Sequence, residues 1–226
     1  MDGEALETVE EEKYLGVWMR DDMKPSLQCA KAAQSANMAL GMLLRSFHYR
    51  TKSTLIPLYK TFVRSRMEHA VAAWSPWLKR DEDELEKVQK RLVRALSDVS
   101  GDSYEEKLRQ AGLTTLKRRR ERGDLIEAYK VLSGVYKVDR DAWFKRAIQP
   151  TVRETRSSVT IEDGVTTRNA EVLYKPAANN DTRNNFFTIR VIRRWNELPE
   201  AVKTQKSVNG FKTALDKWLE TRGETS

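Results

Sequence analysis

Residues 26–48 read SLQCAKAAQSANMALGMLLRSFH. Within them Ala30, Ala33, Asn37, Leu40, Gly41 and Leu44 recur at three- and four-residue steps, the period of a helix with one buried stripe. The stripe is built from small residues, so a neighbouring helix can approach closely. Two further helical stripes follow. From Ser53, a candidate N-cap, Tyr59, Phe62, Val63, Met67, Ala70 and Trp74 form one, with Pro57 read in its first turn and Ser75-Pro76 closing it. Asp81, with Glu84 three residues on, opens the other, which carries Leu85, Val88, Leu92 and Leu96. Three helices joined by short polar links predict a compact bundle over residues 26–100.

Outward from the bundle the pattern changes on both sides. Residues 1–12 carry six carboxylates and no basic residue, the composition of a frayed acidic arm. Lys13 to Met19 alternates aromatic and aliphatic residues around Gly16 and reads as one strand, ended by Asp21-Asp22 and Pro25. On the other side, Ser103 with Glu106 is a capping box for a short helix stopped at Gly112. Thr114 then caps a helix bearing Leu116, Leu125, Tyr129 and Leu132, which ends at Gly134. From Pro150 to Pro176 the residues are β-branched and polar, and Asp163-Gly164 between two such runs is a hairpin signal. Asn184 to Leu198 is helical again, with Phe187, Val191 and Trp195 at four-residue steps. Ser207 caps a last helix bearing Val208, Phe211, Leu215 and Trp218. The expected fold is mainly α, with an N-terminal strand and a short extended or hairpin segment. The expected divisions are 1–25, 26–100, 101–148 and 149–226.

Composition narrows the class. The chain has 226 residues, 41 Lys and Arg against 33 Asp and Glu, and a formal net charge of +8. No uncharged run approaches the roughly 18 residues that span a bilayer. The acidic start is neither a secretory signal nor an Arg-rich transit peptide. One cysteine, Cys29, excludes an internal disulfide and any multi-cysteine metal site. A basic, mostly helical protein of the nucleus or cytoplasm is the expectation, with no membrane partner and no cofactor.

Nine strings, in order along the chain, carry a family resemblance. They are Lys13-Tyr-Leu-Gly-Val17, Leu58-Tyr-Lys60, Glu68-His-Ala-Val-Ala-Ala-Trp-Ser-Pro76, Leu85-Glu-Lys-Val-Gln-Lys-Arg91, Tyr104-Glu-Glu-Lys-Leu108, Gly112-Leu-Thr-Thr-Leu116, Arg118-Arg-Arg-Glu-Arg-Gly-Asp-Leu-Ile126, Arg183-Asn-Asn-Phe-Phe187 and Arg194-Trp-Asn-Glu-Leu-Pro199. Together they resemble the C-terminal part of jockey-like non-LTR (LINE-type) retrotransposon reverse transcriptases, over residues 13–219. The resemblance implies that the Tyr14-Leu15-Gly16 strand is like the primer-grip edge of a polymerase palm. It implies a thumb-like bundle over residues 26–97 and a C-terminal region after it. RNA and DNA, as a template–primer duplex, are the implied partners, with a polymerase palm or another protein as a further one.

Polymerase chemistry needs clustered carboxylates to hold two divalent ions. In the resembled family these are an aromatic-x-Asp-Asp turn upstream of the primer-grip strand. Met19-Arg20-Asp21-Asp22 imitates that turn, but it lies after the strand, and Met23-Lys24-Pro25 breaks any strand that would follow. Asp21 and Asp22 are therefore read as a solvated turn, and no catalytic or metal-binding residue is expected. Cys29 beside the small-residue stripe reads as buried and inert. His69 reads as a packing or surface residue, and one Cys with two His makes no zinc site.

Phosphate binding is the better-supported chemistry. Lys117, Arg118, Arg119, Arg120 and Arg122 open one helix, and Lys87, Lys90, Arg91 and Arg94 form a second basic face. Arg183, Arg190, Arg193 and Arg194 share a segment with Phe186, Phe187 and Trp195. Such cations bind backbone phosphates with salt-dependent affinity and little sequence preference. Phe187 and Trp195 are read as core residues, because four-residue steps match a packing stripe. The gripping role requires the cations to gather on a connected surface that carboxylates do not compensate. The alternatives are a protein-interaction module that uses the open strand edge, and a degenerate copy without a selected role.

Overall fold

Leu15 and Gly16 both have positive φ, +47° and +88°. Two such residues in succession make the tight turn that matches the twist of a hairpin. The N-terminal strand is accordingly two strands, β1 (Glu11–Tyr14) and β2 (Val17–Arg20), paired antiparallel with Tyr14 opposite Val17. This corrects the expectation of a single strand. Glycine suits position 16 because L side chains rarely adopt a φ of +88°, and a Cβ there would also press on His69 Nε2 at 3.1 Å. The computed structural model describes residues 9–147 and 172–223. Most of the acidic arm and the expected Asp163-Gly164 hairpin lie outside them. The described residues are mainly helical and divide into two compact units, with the boundary between Glu121 and Arg122.

In the first unit, α1 (Ser26–Ser46) buries Cys29, Ala32, Ala33, Ala36, Ala39, Leu40 and Gly41. The buried face is rotated one residue from the expected stripe, with Ala36 inside and Asn37 half-exposed. The small side chains allow close packing against α5 (Lys79–Ala95). Ser26 Oγ donates to Asp81 Oδ2 at 2.6 Å, and Arg91 reaches Asn37, so α1 and α5 run parallel. Asp81 is buried inside α5 rather than capping it; the helix starts two residues earlier, after Leu78.

The segment between them returns the chain. It was expected to be one helix and is instead α2 (Lys52–Leu58), a π-helical turn at Tyr59–Arg64, α3 (Ser65–Glu68) and α4 (Val71–Trp74). Pro57 falls in the second turn, and the wide turn begins two residues after it. A proline cannot donate to the backbone ladder and crowds the turn before it. Side chains of Thr61, Ser65 and Arg66 bond the carbonyls of Pro57, Thr61 and Phe62. Ala70, at φ +50°, separates α3 from α4. The unit's core joins Leu40, Leu55, Tyr59, Val63, Met67, Leu85, Val88 and Leu92 to Leu108 and Leu116.

Two of the local signals after the bundle behave as read. Ser103 Oγ accepts the Glu106 N–H, capping α6 (Tyr104–Gln110), and Gly112 at φ +62° turns the chain away. α7 (Leu116–Leu132) is capped by Thr115, one residue later than expected. In the second unit, α8 (Arg140–Trp143) precedes Arg146, which bridges to Leu173. The helix expected over 184–198 is divided into α9 (Asp181–Asn184), capped by Asn180, and α10 (Phe187–Asn196). α11 (Glu200–Lys203) and α12 (Val208–Gly223) complete it, and Ser207 Oγ accepts the Gly210 N–H at the start of α12. Its core stacks Tyr129 on Phe211 at 4.2 Å, with Trp195 6.1 Å from Phe211, and Phe187, Ile189 and Leu215 are also buried. Among the described residues no helix is long and apolar enough to cross a membrane.

Candidate nucleic-acid interface

Lys87, Lys90, Arg91 and Arg94 sit at i, i+3, i+4 and i+7 of α5, which places them on one face of the helix. The opposite face is buried through Leu85, Val88, Gln89, Leu92 and Val93. Each member has a defined surrounding. Lys87 Nζ is 2.9 Å from Glu84, and Lys90 Nζ lies 5.2 Å from the Tyr104 ring centroid. Arg91 Nη1 is 3.4 Å from Asn37 Oδ1, and Arg94 is exposed. Because α1 and α5 are parallel, their C-terminal ends come together. Arg45 lies in the last turn of α1, and Arg50 Nη2 donates to Leu44 O at 3.0 Å. Cations at helix C-termini are favoured by the macrodipole. Among the described residues, Arg45, Arg50, Lys90, Arg91 and Arg94 have no carboxylate within 4.0 Å.

The first turns of α7 are different. Lys117 Nζ is 3.4 Å from Glu82, and Arg119 grips both oxygens of Glu68, with Nη2 at 2.9 Å. Arg120 is 5% exposed, with Nη2 at 4.0 Å from Glu82. Arg64 shares Glu68 with Arg119; burial and then the neighbouring guanidinium lower its pKa. Arg118 is half-exposed. Arg119 and Arg120 are thus committed to internal ion pairs, which corrects the expectation of an open basic face there.

In the second unit, Arg122 pairs with Asp216, with Nη2 2.8 Å from Oδ2, and that hydrogen bond raises the guanidinium pKa. Arg190 pairs with Asp124 through two 2.8 Å hydrogen bonds. Arg193 and Arg194 lie 3.4 and 3.3 Å from Glu197, which Arg222 also holds at 2.7 Å. The requirement that carboxylates leave these cations uncompensated therefore fails for Arg122, Arg190, Arg193 and Arg194. Arg183 is exposed, with its guanidinium carbon 5.6 Å from the centroid of the half-exposed Phe186 ring. Phe187 and Trp195 are buried, the arrangement a packing stripe requires.

Sequence reading missed Arg45 and Arg50. Arg45 carried a usable signal, a cation in the last turn of a helix, but nothing local placed it beside Arg91. Asp21 and Asp22 form an exposed turn in which Asp22 Oδ1 accepts the Lys24 N–H, a bond that lowers the Asp22 pKa. Cys29 is buried, and burial pushes its thiol pKa up to about 12. His69 Nε2 lies 3.4 Å from the Leu15 carbonyl oxygen, under the hairpin turn. Among the described residues no group of three or more His, Cys, Asp or Glu side chains is placed to hold a metal ion. Comparison with protein-family models, curated proteins and solved structures finds no match to the chain.

Proposed function

We propose that the chain is a non-catalytic nucleic-acid-binding module that grips a sugar–phosphate backbone, as the thumb and downstream region of a jockey-like non-LTR reverse transcriptase would. The observation that carries the reading is the α5 face of Lys87, Lys90, Arg91 and Arg94, of which, among the described residues, only Lys87 is paired with a carboxylate. The nine ordered strings supply the family, with α1, the Lys52–Glu68 segment and α5 as the thumb-like helices and the β1–β2 hairpin as the primer-grip edge. Binding works by displacing counterions from phosphates, so it is electrostatic and reads little sequence. With about four phosphate contacts, the log–log salt dependence is expected near −3 to −4. Arg118 and Arg183 are secondary contributors. The setting is the nucleus or cytoplasm.

Fluorescence anisotropy on a primed RNA–DNA duplex tests this. Affinity is expected to fall with that slope, and Lys90→Glu with Arg94→Glu to remove it without changing the circular dichroism. Salt-insensitive binding, or none, overturns the reading. The purified chain is expected to incorporate no nucleotide with Mg²⁺ or Mn²⁺; template-dependent extension would refute the non-catalytic assignment. One observation favours a second reading, a protein-interaction module: every residue of β1 is exposed, and Tyr14, Leu15, Met19 and Met23 present apolar surface around the hairpin. A discrete salt-resistant complex lost on Tyr14→Lys would favour that reading instead.

A further inference from the structure

Gly41 lies where α1 faces the end of α5. A Cβ there would meet Arg45 Nη1 at 3.4 Å and Arg91 Nη2 at 3.7 Å. Two guanidinium groups from different helices thus converge over one glycine, and neither has a carboxylate within 4.0 Å among the described residues. Like charges brought together in this way match an anion that accepts hydrogen bonds from both, and guanidinium donors suit phosphate geometry.

A second, independent feature lies four residues beyond Arg45. Tyr49 is 85% exposed, the most exposed large apolar or aromatic side chain of the described residues. Its loop is nevertheless tied down on both sides. Phe47 N–H donates to Leu43 O at 3.1 Å, Arg50 Nη2 to Leu44 O at 3.0 Å, and Ser97 N–H to Arg50 O at 2.9 Å. The backbone that carries this ring is thus ordered before binding, so stacking has only the side chain left to order. Duplex bases are already stacked and offer such a ring no open face. An unpaired base does.

We propose that the shared end of α1 and α5 is a subsite for single-stranded nucleic acid. Arg45 and Arg91 clamp one phosphate over Gly41, and Tyr49 stacks on the base of a neighbouring unpaired nucleotide. Arg50 and Arg94 flank the subsite and guide the adjoining backbone. The inference rests on the backbone-gripping function above and names the form of nucleic acid that this end of the unit selects.

The test uses the full chain and three labelled probes of equal phosphate number: a single strand, a blunt duplex and a single strand with abasic sites in place of bases. Tyr49→Ala is expected to weaken the single strand about tenfold, the order of one base–aromatic stack, and to change the blunt duplex and abasic strand by less than twofold. Tyr49→Phe is expected to retain full affinity, because the ring and not the hydroxyl stacks. Arg45→Gln and Arg91→Gln are expected to weaken all three probes. If Tyr49→Ala leaves the single strand unchanged, or weakens all probes equally, the subsite is overturned while the backbone function stands. If the unaltered chain binds none of the probes, both fail together. Because Tyr49 packs into no core, an unchanged thermal melt for Tyr49→Ala separates lost stacking from lost folding.

Discussion

Arg190 and Asp124, 66 residues apart in sequence, meet side by side inside the second unit, with Nε and Nη2 each 2.8 Å from a carboxylate oxygen. Their side chains are 15% and 10% exposed, and Arg190 Nη1 also donates to Asn185 O at 3.0 Å. The pair ties α10 to α7. Removing one member of such a buried pair takes away the two hydrogen bonds that join them, and breaking a buried pair costs roughly 3–5 kcal/mol. Arg190→Met is therefore expected to destabilise the second unit by about that amount in urea unfolding. Arg190→Met combined with Asp124→Leu is expected to recover part of the loss, since an apolar pair of similar volume removes both charges together. A double variant as unstable as the single would show that the pair is not the reason.

Gln89 anchors the first unit in the same sense. It is completely buried; its Oε1 accepts from Tyr59 Oη at 3.0 Å, and its Nε2 donates to Thr114 O at 3.0 Å and to Glu86. Glu86 Oε2 in turn accepts the Leu116 N–H at the start of α7. Gln89→Leu would leave the Tyr59 hydroxyl and the Thr114 carbonyl without their partner. The expected loss is about 2–3 kcal/mol, read from the denaturation midpoint at unchanged slope. Gln89→Glu should cost more still, because it sets a buried carboxylate against the Glu86 carboxylate and the Thr114 carbonyl.

Acid is expected to act on the second unit through Glu197. Hydrogen bonds from Arg222, and then Arg194, hold its carboxyl below the ordinary carboxylate range. A lowered folded-state pKa contributes stability that is complete above the unfolded value and is lost as pH falls through the folded one. The unit's thermal midpoint should therefore drop on acidification below about pH 4.5, the region of an ordinary glutamate. Glu197→Gln should flatten that part of the profile. An unchanged profile in the variant would assign the acid sensitivity to another carboxylate.

Cys29 gives a chemical readout of the first unit's integrity. With its pKa pushed up to about 12 and its side chain buried, the thiol holds almost no nucleophilic thiolate at pH 8. Labelling by a disulfide reagent is expected to proceed only through opening of the unit. It should be slow in buffer, immediate in denaturant, and faster in Gln89→Leu by about tenfold for each 1.4 kcal/mol of stability lost. Rapid labelling of the native chain would contradict the burial of α1.

What was legible in the sequence was what local chemistry decides. Ser103 with Glu106, Gly112, Gly134 and Ser207 mark helix ends because a cap or a left-handed residue acts within four positions. The apolar spacing of Leu85, Val88 and Leu92 was readable for the same reason. Ala70 and Leu15 were not: both take positive φ without being glycine, and only their surroundings hold them there. The candidate site divides along the same line. The face of Lys87 to Arg94 follows from helical period alone. The fates of Arg119, Arg122 and Arg190 depend on Glu68, Asp216 and Asp124, which lie 51, 94 and 66 residues away. Nothing within a helix turn of those arginines distinguishes a cation that faces solvent from one neutralised inside the fold.

The parallel setting of α1 and α5 also governs the order of assembly. Ser26 meets Asp81 across 55 positions and Asn37 meets Arg91 across 54, so no hairpin-like zipping can join the two helices. Their seam closes only after the chain has reversed through Tyr59 to Trp74, and closing a loop of that length carries an entropic penalty before any contact offsets it. Closure of the seam through this return segment is expected to limit refolding of the first unit. Mutations in its π-helical turn should slow refolding more than equal losses of stability placed in α6.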